Sequence, residues 1–375
     1  MKKKKKFNII SVFEKTRTGL IETAHGNIKT PVFMPVGTLA NVKSIFPRDL
    51  EELGIQIILG NTYHLMLRPG EKIIKKIGGI QKFMNWNKPV LTDSGGFQAW
   101  SLTKLREIDI NGITFNSHLD GKKYRLTPEK SIQIQHSLNS NISMVLDECT
   151  EFPSTYKRTL ESLNLTKNWA EKSLLSFKKR NGYYLFSIIQ GGMYKSLRKK
   201  SCDQLTGMEF DGYALGGLSV GESHKKMTKV VEFTTQFMPE DKPRYLMGVG
   251  RPVDIFKGVE NGIDMFDCVL PTRFGRNGRA FSSTLGEINL RNNCFANDFS
   301  PLDKNIDCYA SKNFSKSYIH HLTKSKEILS SMILSLHNIA FYEKMMLDIR
   351  ESIENKSFKK IMKKYLDVHM CYEKT

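Results

Sequence analysis

Two aspartates, Asp93 and Asp267, each end a short apolar run, and each carries a carboxylate that could act at a sugar carbon. In a double displacement, one member of such a pair attacks C1′ while the other handles the proton of the leaving group. The pair alone would equally serve a retaining glycoside hydrolase, and an aspartate at a strand end is as often the cap of the next helix. The neighbouring residues narrow the choice. Asp93-Ser94-Gly95-Gly96-Phe97-Gln98 joins a carboxylate to a pliable backbone and an aromatic ring, as suits a flat base that approaches the main chain and stacks. Gln190-Gly191-Gly192 and the Gly216 to Glu222 segment add an amide and exposed peptide groups. These match a guanine edge: Asp147 accepts from N1–H and the exocyclic amine, while the Gln190 amide and the Gly217 N–H donate to O6. Tight turns would explain one such glycine cluster, but three at consecutive strand ends are harder to dismiss.

The elements that position these residues repeat a pattern of apolar run, polar or glycine residue, then helical stretch. The runs are Ile55 to Leu59, Pro89 to Thr92, Ser143 to Leu146, Tyr184 to Ile189, Tyr213 to Leu215 and Tyr245 to Met247, with Asp264 to Phe266 as a seventh. Continuous apolar runs fit strands buried on both faces, and helical spacers between them imply parallel βα units. Thr127-Pro128 marks one helix start, a cap residue followed by proline at the first helical position. So many units favour an α/β fold of the closed (β/α)8 TIM type, in which Asp93, Asp147, Gln190, Gly217 and Asp267 meet at one mouth. The expected organisation is a barrel core with an N-terminal extension over 1–279, a satellite subdomain over 280–340 that opens on a hairpin, and C-terminal helices over 341–375 packing on the barrel.

Composition supports a polyanionic partner. Among 375 residues, 57 Lys and Arg against 38 Asp and Glu leave a net charge of +19, which points to nucleic acid, with compositional drift toward lysine as the competing source. Lys2 to Lys6 are followed by no secretory apolar segment, and no run is long enough to span a membrane. Cys149, Cys202, Cys268, Cys294, Cys308 and Cys371 form no close pairs, which fits reduced thiols and a cytoplasmic location.

Longer motifs carry a resemblance. Val36-Gly37-Thr38, Leu59 to Leu65, Leu91 to Gln98, Asp147-Glu148-Cys149, Gln190-Gly191-Gly192, Gly216 to Glu222 and Met265 to Arg273 together resemble the bacterial queuine tRNA-ribosyltransferase (tRNA-guanine transglycosylase) family, with matches from about Thr18 to His337. The resemblance implies a TIM-type barrel that exchanges the wobble guanine of GUN-anticodon tRNAs (Asp, Asn, His, Tyr) for a 7-deazaguanine without cutting the RNA. It implies Asp267 as the nucleophile, Asp93 as the proton acceptor, and Phe97 and Met247 as a sandwich around a base whose edge Asp147, Gln190 and Gly217 read. Arg273 and Arg276 match residues implicated in tRNA contact, and Arg251 is grouped with them. Cys149 and Val220 resemble the bacterial form, whose base is preQ1 (7-aminomethyl-7-deazaguanine), with the Leu218 carbonyl and Glu222 available to its cationic aminomethyl group. Retention of Asp93 and Asp267 speaks against the family's noncatalytic tRNA-binding subunit, and the guanine-reading set and charge speak against the glycoside hydrolase.

The satellite region departs from the family. There the resemblance implies Cys-x-Cys-x-x-Cys and a later His around a structural zinc, but here Ile306 and Ser311 replace two ligands, leaving only Cys308 and His337. The expectation is no zinc and no other cofactor, with Ile306, Tyr309, Phe314, Tyr318, Leu329, Ile333 and Leu336 supplying apolar packing instead. Phe314, Tyr318, His321 and Phe83 stand where the family keeps an aromatic dimer patch, which implies a homodimer. The Lys2 to Lys6 run has no counterpart in the family pattern.

Overall fold

The computed structural model describes residues 7–102 and 106–370, so Lys2 to Lys6 and Cys371 lie outside the described residues. Eight short parallel strands close into a barrel: Val32–Gly37, Ile58–Gly60, Val90–Thr92, Ile142–Met144, Tyr184–Ile189, Gly212–Leu215, Arg244–Leu246 and Met265–Cys268. The ring shuts where Met265 and Phe266 of the last strand pair with Val32 and Phe33 of the first. Seven strands fall on or beside the apolar runs read from the sequence. Val32–Gly37 did not stand out, because Pro31 and Pro35 punctuate it and a proline argues against an interior strand.

An antiparallel sheet, Phe7–Phe13, Thr16–Thr23 and Gly26–Thr30, precedes the barrel. Its Phe7, Ile21 and Ile28 are buried. Arg17 donates from Nε and Nη2 to the Asp264 carboxylate at 2.9 and 2.5 Å, a buried pair at the entry to the last barrel strand. The connection after the third strand carries a helix, Gly96–Ser101, a three-stranded antiparallel sheet, and the helix Pro128–Ser137. Thr127 caps the latter as expected, its hydroxyl accepting from Lys130 N–H at 3.1 Å.

Beyond the last strand, helix Leu270–Arg276 leads into a hairpin, Arg279–Ser282 with Gly286–Asn289, where the sequence placed one. Two helices, Tyr309–Asn313 and Lys316–Lys324, precede a single helix Ile328–Glu354 that runs unbroken past residue 340. That helix lies close against Leu270–Arg276: a Cβ on Gly275 would stand 2.5 Å from Ser335 N. Buried Asn338 fastens it, donating to the carbonyls of Pro271 and Arg279 at 2.9 and 3.1 Å and accepting from Phe281 N–H at 2.9 Å. Among the described residues, no helix is long and apolar enough to cross a membrane.

Candidate active site

The strand ends open into one cavity of about 670 Å³, within the range of small-molecule pockets. Asp93, Phe97, Asp147, Gly217, Leu218, Met247, Arg251, Asp267 and Arg273 all line it, although they span most of the barrel sequence.

Asp267 is the third residue of the last strand. Its Oδ1 accepts from the Tyr245 hydroxyl at 2.6 Å and from Gly248 N–H at 2.7 Å. Among the described residues Oδ2 takes no hydrogen bond, so the carboxylate is oriented through one oxygen and presents the other. Desolvation raises its pKa, while the Tyr245 and Gly248 bonds oppose that rise.

Asp93 is buried just after the third strand, and Asn61 Nδ2 donates to its Oδ2 at 2.5 Å while Thr62 N–H donates to Oδ1 at 2.8 Å. Burial lifts its carboxyl to about 6 against bonds from Asn61, Thr62 and Gln98, and the charge of Asp267 adds to the rise. A group with that pKa can hold a proton or release it near neutral pH, as an acid–base catalyst requires.

Asp147 and Gln190 act as a unit. Gln190 Nε2 donates to Asp147 Oδ2 at 2.7 Å, and Ser94 Oγ donates to Oδ1 at 3.3 Å. Burial is again the leading cause that lifts Asp147 to about 6, with the charges of Asp93 and Glu148 adding to it. The glycines here are spatial necessities. A Cβ on Gly217, whose φ is +63°, would stand 2.4 Å from Gln190 Oε1, and one on Gly96 would stand 2.7 Å from the Asp147 carbonyl.

Three residues read as site members sit outside the cavity wall. Gln190 lies behind Asp147, with one of its amide hydrogens committed to that carboxylate. Glu222 accepts from Ser219 and Val220 N–H at 2.5 and 3.0 Å, which shapes the Leu218 turn from behind. Arg276 stands one helical turn beyond Arg273 and lines a separate basic recess with Arg291 and Lys326. Arg273 and Arg276 are exposed, whereas Arg251 is tied to Glu287 at 2.7 Å. Phe97 is half exposed and Met247 half buried at the mouth. Cys149 is buried, and burial pushes its thiol up to about 12, so it stays protonated.

The region where the family pattern has metal ligands is filled by the protein's own groups. His337 is fully buried, and its Nε2 lies 2.7 Å from the Phe281 carbonyl, which can only accept, so Nε2 carries the proton. Nδ1 then accepts from Ser311 Oγ at 2.8 Å. Both ring nitrogens are thus engaged, Ile306 is buried beside Cys308, and no group of three or more His, Cys, Asp or Glu residues converges among the described residues. These residues do not fit a tetrahedral zinc. The apolar packing expected around them is corrected in part: Ile306 and Ile333 are buried, but Tyr309, Tyr318 and Leu329 are exposed. Phe314 and Tyr318 stack on each other at 5.9 Å at the surface, with His321 and Phe83 also exposed.

Sequence reading gave no role to Asn61, Thr62, Ser94, Tyr245 or Gly248, which hold the carboxylates. Strand alternation carries one usable signal: Tyr245 and Met247 are two residues apart, so they share a face toward the pocket.

The profile of the family described as Queuine tRNA-ribosyltransferase matches residues 13–370. A queuine tRNA-ribosyltransferase of Rickettsia bellii is 52% identical over 347 residues, covering 92% of this chain and 96% of the relative. One of Rickettsia typhi is 52% identical over 348 residues, covering 93% and 96%. The protein of that name from Caldanaerobacter subterraneus is 53% identical over 339 residues, 90% of each chain.

Proposed function

The chain belongs to the queuine tRNA-ribosyltransferase family, and from that premise we propose that it exchanges the wobble guanine of GUN-anticodon tRNAs for preQ1 by double displacement on Asp267. It is a pentosyltransferase of queuosine synthesis and acts on tRNA. The observation that carries the finer reading is the pairing in one cavity of a carboxylate with one unbonded oxygen, Asp267, and a carboxylate lifted to about 6, Asp93. Oδ2 of Asp267 attacks ribose C1′. The C1′–N9 bond breaks, its electron pair leaves with guanine, and guanine takes a proton from Asp93. When the second base enters, Asp93 takes its N9 proton, N9 attacks C1′, and the ester to Asp267 breaks. The phosphodiester chain stays intact throughout, and both carboxylates end as they began.

For base recognition, Asp147 accepts from N1–H and the exocyclic amine while the Gly217 N–H, which has no partner among the described residues, donates to O6. Phe97 and Met247 flank the base plane. The Leu218 carbonyl, with the Glu222 carboxylate behind it, suits a cationic aminomethyl group and so favours preQ1 over a neutral base. Arg273 and Arg276 are exposed for RNA contact, while Arg251, held by Glu287, is the weaker candidate. The subdomain over 280–340 folds without zinc, and the exposed aromatic patch joins two copies of the chain.

Labelled guanine exchange into unmodified tRNA, with and without preQ1, tests the reaction. In this reading Asp267→Asn abolishes exchange and the denaturant-stable protein–RNA adduct together, because an amide cannot form the ribosyl ester. Asp93→Asn loses turnover and forms adduct more slowly, because departing guanine must then take its proton from water, but adduct is still trapped. Adduct in Asp267→Asn would move the nucleophile elsewhere, and equal loss of adduct in both variants would defeat the division of roles.

A further inference from the structure

Arg198 is a fully buried cation with no carboxylate hydrogen-bonded to it among the described residues. It lies on helix Lys195–Thr206, behind the base pocket. All of its described bonds go to main-chain carbonyls. Nε donates to Gly192 at 2.9 Å, Nη1 to Ile189 at 2.9 Å and to Gly216 at 2.8 Å, and Nη2 reaches Gly217 at 3.4 Å. Those carbonyls belong to the ends of the adjacent strands Tyr184–Ile189 and Gly212–Leu215, the two loops that carry Gln190 and Gly217.

Burying a guanidinium is expensive, and Arg198 meets the charge of Glu222 only at a distance, so its donors are spent on main-chain carbonyls alone. The peptide between Gly216 and Gly217 shows what those donors do. In a trans peptide C=O and N–H point in opposite directions, so a carbonyl drawn toward Arg198 turns the Gly217 N–H away from it, toward the cavity that Gly217 lines. A cation on the carbonyl also polarises the amide and makes that N–H a stronger donor.

We propose that Arg198 is a positioning residue for base exchange, aiming and polarising the Gly217 N–H toward O6 of the bound base. The proposal rests on the base-edge reading given above. As the C1′–N9 bond breaks, the electron pair passes to the guanine ring and part of that charge reaches O6, where a preorganised donor stabilises it more than it stabilises the neutral base.

The experiment compares guanine with 6-thioguanine as competitive ligands of the full chain. 6-Thioguanine keeps N1–H and the exocyclic amine but presents a poorer acceptor at the position of O6. Wild type should bind guanine the more tightly. In Arg198→Met guanine should weaken about tenfold, the scale of one missing hydrogen bond, while 6-thioguanine changes less than about twofold by the same measure. Arg198→Lys keeps the charge and some donors, guards against a variant that fails to fold, and should recover part of the preference. Equal weakening of both ligands in a folded variant, or no weakening of either, would overturn the proposal by reducing Arg198 to a structural tie. A wild type that does not prefer guanine would instead overturn the Gly217–O6 reading itself.

Discussion

At the scale of single residues, the pocket carboxylates work against the fold they serve. Asp93 and Asp147 move from 3.8 to about 6 on folding, chiefly through burial. A folded-state pKa raised above the unfolded value means the native protein binds the proton more tightly. Stability is therefore favoured below about pH 4 and is lost as pH rises through about 6, by roughly 3 kcal/mol per group at neutrality. Asp93→Asn should accordingly melt above wild type at pH 7.5 while being unable to turn over, with the gap closing near pH 4. The amide oxygen introduced there can still accept from Thr62 N–H, and the Asn61 side chain can turn its own oxygen toward the new amide. Thermal melts of both proteins across that range check this, and an unchanged or lowered melting temperature at pH 7.5 would mean the bonds from Asn61 and Thr62 outweigh desolvation. With Asp147 as the proposed reader of the base edge, the same shifts predict that base exchange falls as pH drops through about 6, since a protonated Asp147 no longer accepts at both oxygens.

Elements were legible where one physical pattern dominated. Runs buried on both faces announced seven barrel strands, and the Thr127-Pro128 cap announced its helix. Prolines masked Val32–Gly37, and nothing in local sequence reveals that Asn338, some 70 residues from Pro271, bonds that carbonyl across two helices. The site followed the same division: Asp93, Asp147 and Asp267 were visible as strand-end carboxylates, whereas Tyr245, Gly248 and Asn61 matter only through tertiary bonds. Around His337 the proposal that no zinc is held rests on side-chain bonds. Ser311, in place of a family cysteine, donates to His337, which in turn donates to the hairpin strand at Phe281. If that relay replaces the metal, purified protein carries well under one zinc per chain by elemental analysis, and a strong chelator leaves the melting temperature unchanged. Ser311→Ala strands a buried Nδ1 and should cost about 1–3 kcal/mol in denaturant titration. Stoichiometric zinc retained through dialysis would sink the idea.

At the scale of the whole molecule, charge and exposed rings bear on two proposed tasks, RNA contact and self-association. The net charge of +19 suits the tRNA, and Arg273 and Arg276 lie on the helix that follows Asp267, the proposed nucleophile. Replacing either by Ala should lower the salt slope of tRNA binding by about 1 for each phosphate that the arginine neutralises, and an unchanged slope would mean these arginines touch no phosphate. The aromatic patch faces a different task. Tyr309 is 69% exposed and Tyr318 41%, and both rings pack on Phe314. Exposed rings clustered this way are what the proposed contact between two copies would cover. Light scattering at micromolar concentration should give twice the 43.0 kDa chain mass for wild type and the single mass for Tyr318→Ala. A monomeric wild type would end the dimer reading. Because Asp93 and Asp267 line one cavity within one chain, the monomeric variant should still form adduct at saturating tRNA. Its deficit should appear as weakened tRNA binding, which separates a role in holding the RNA from a role in the chemistry.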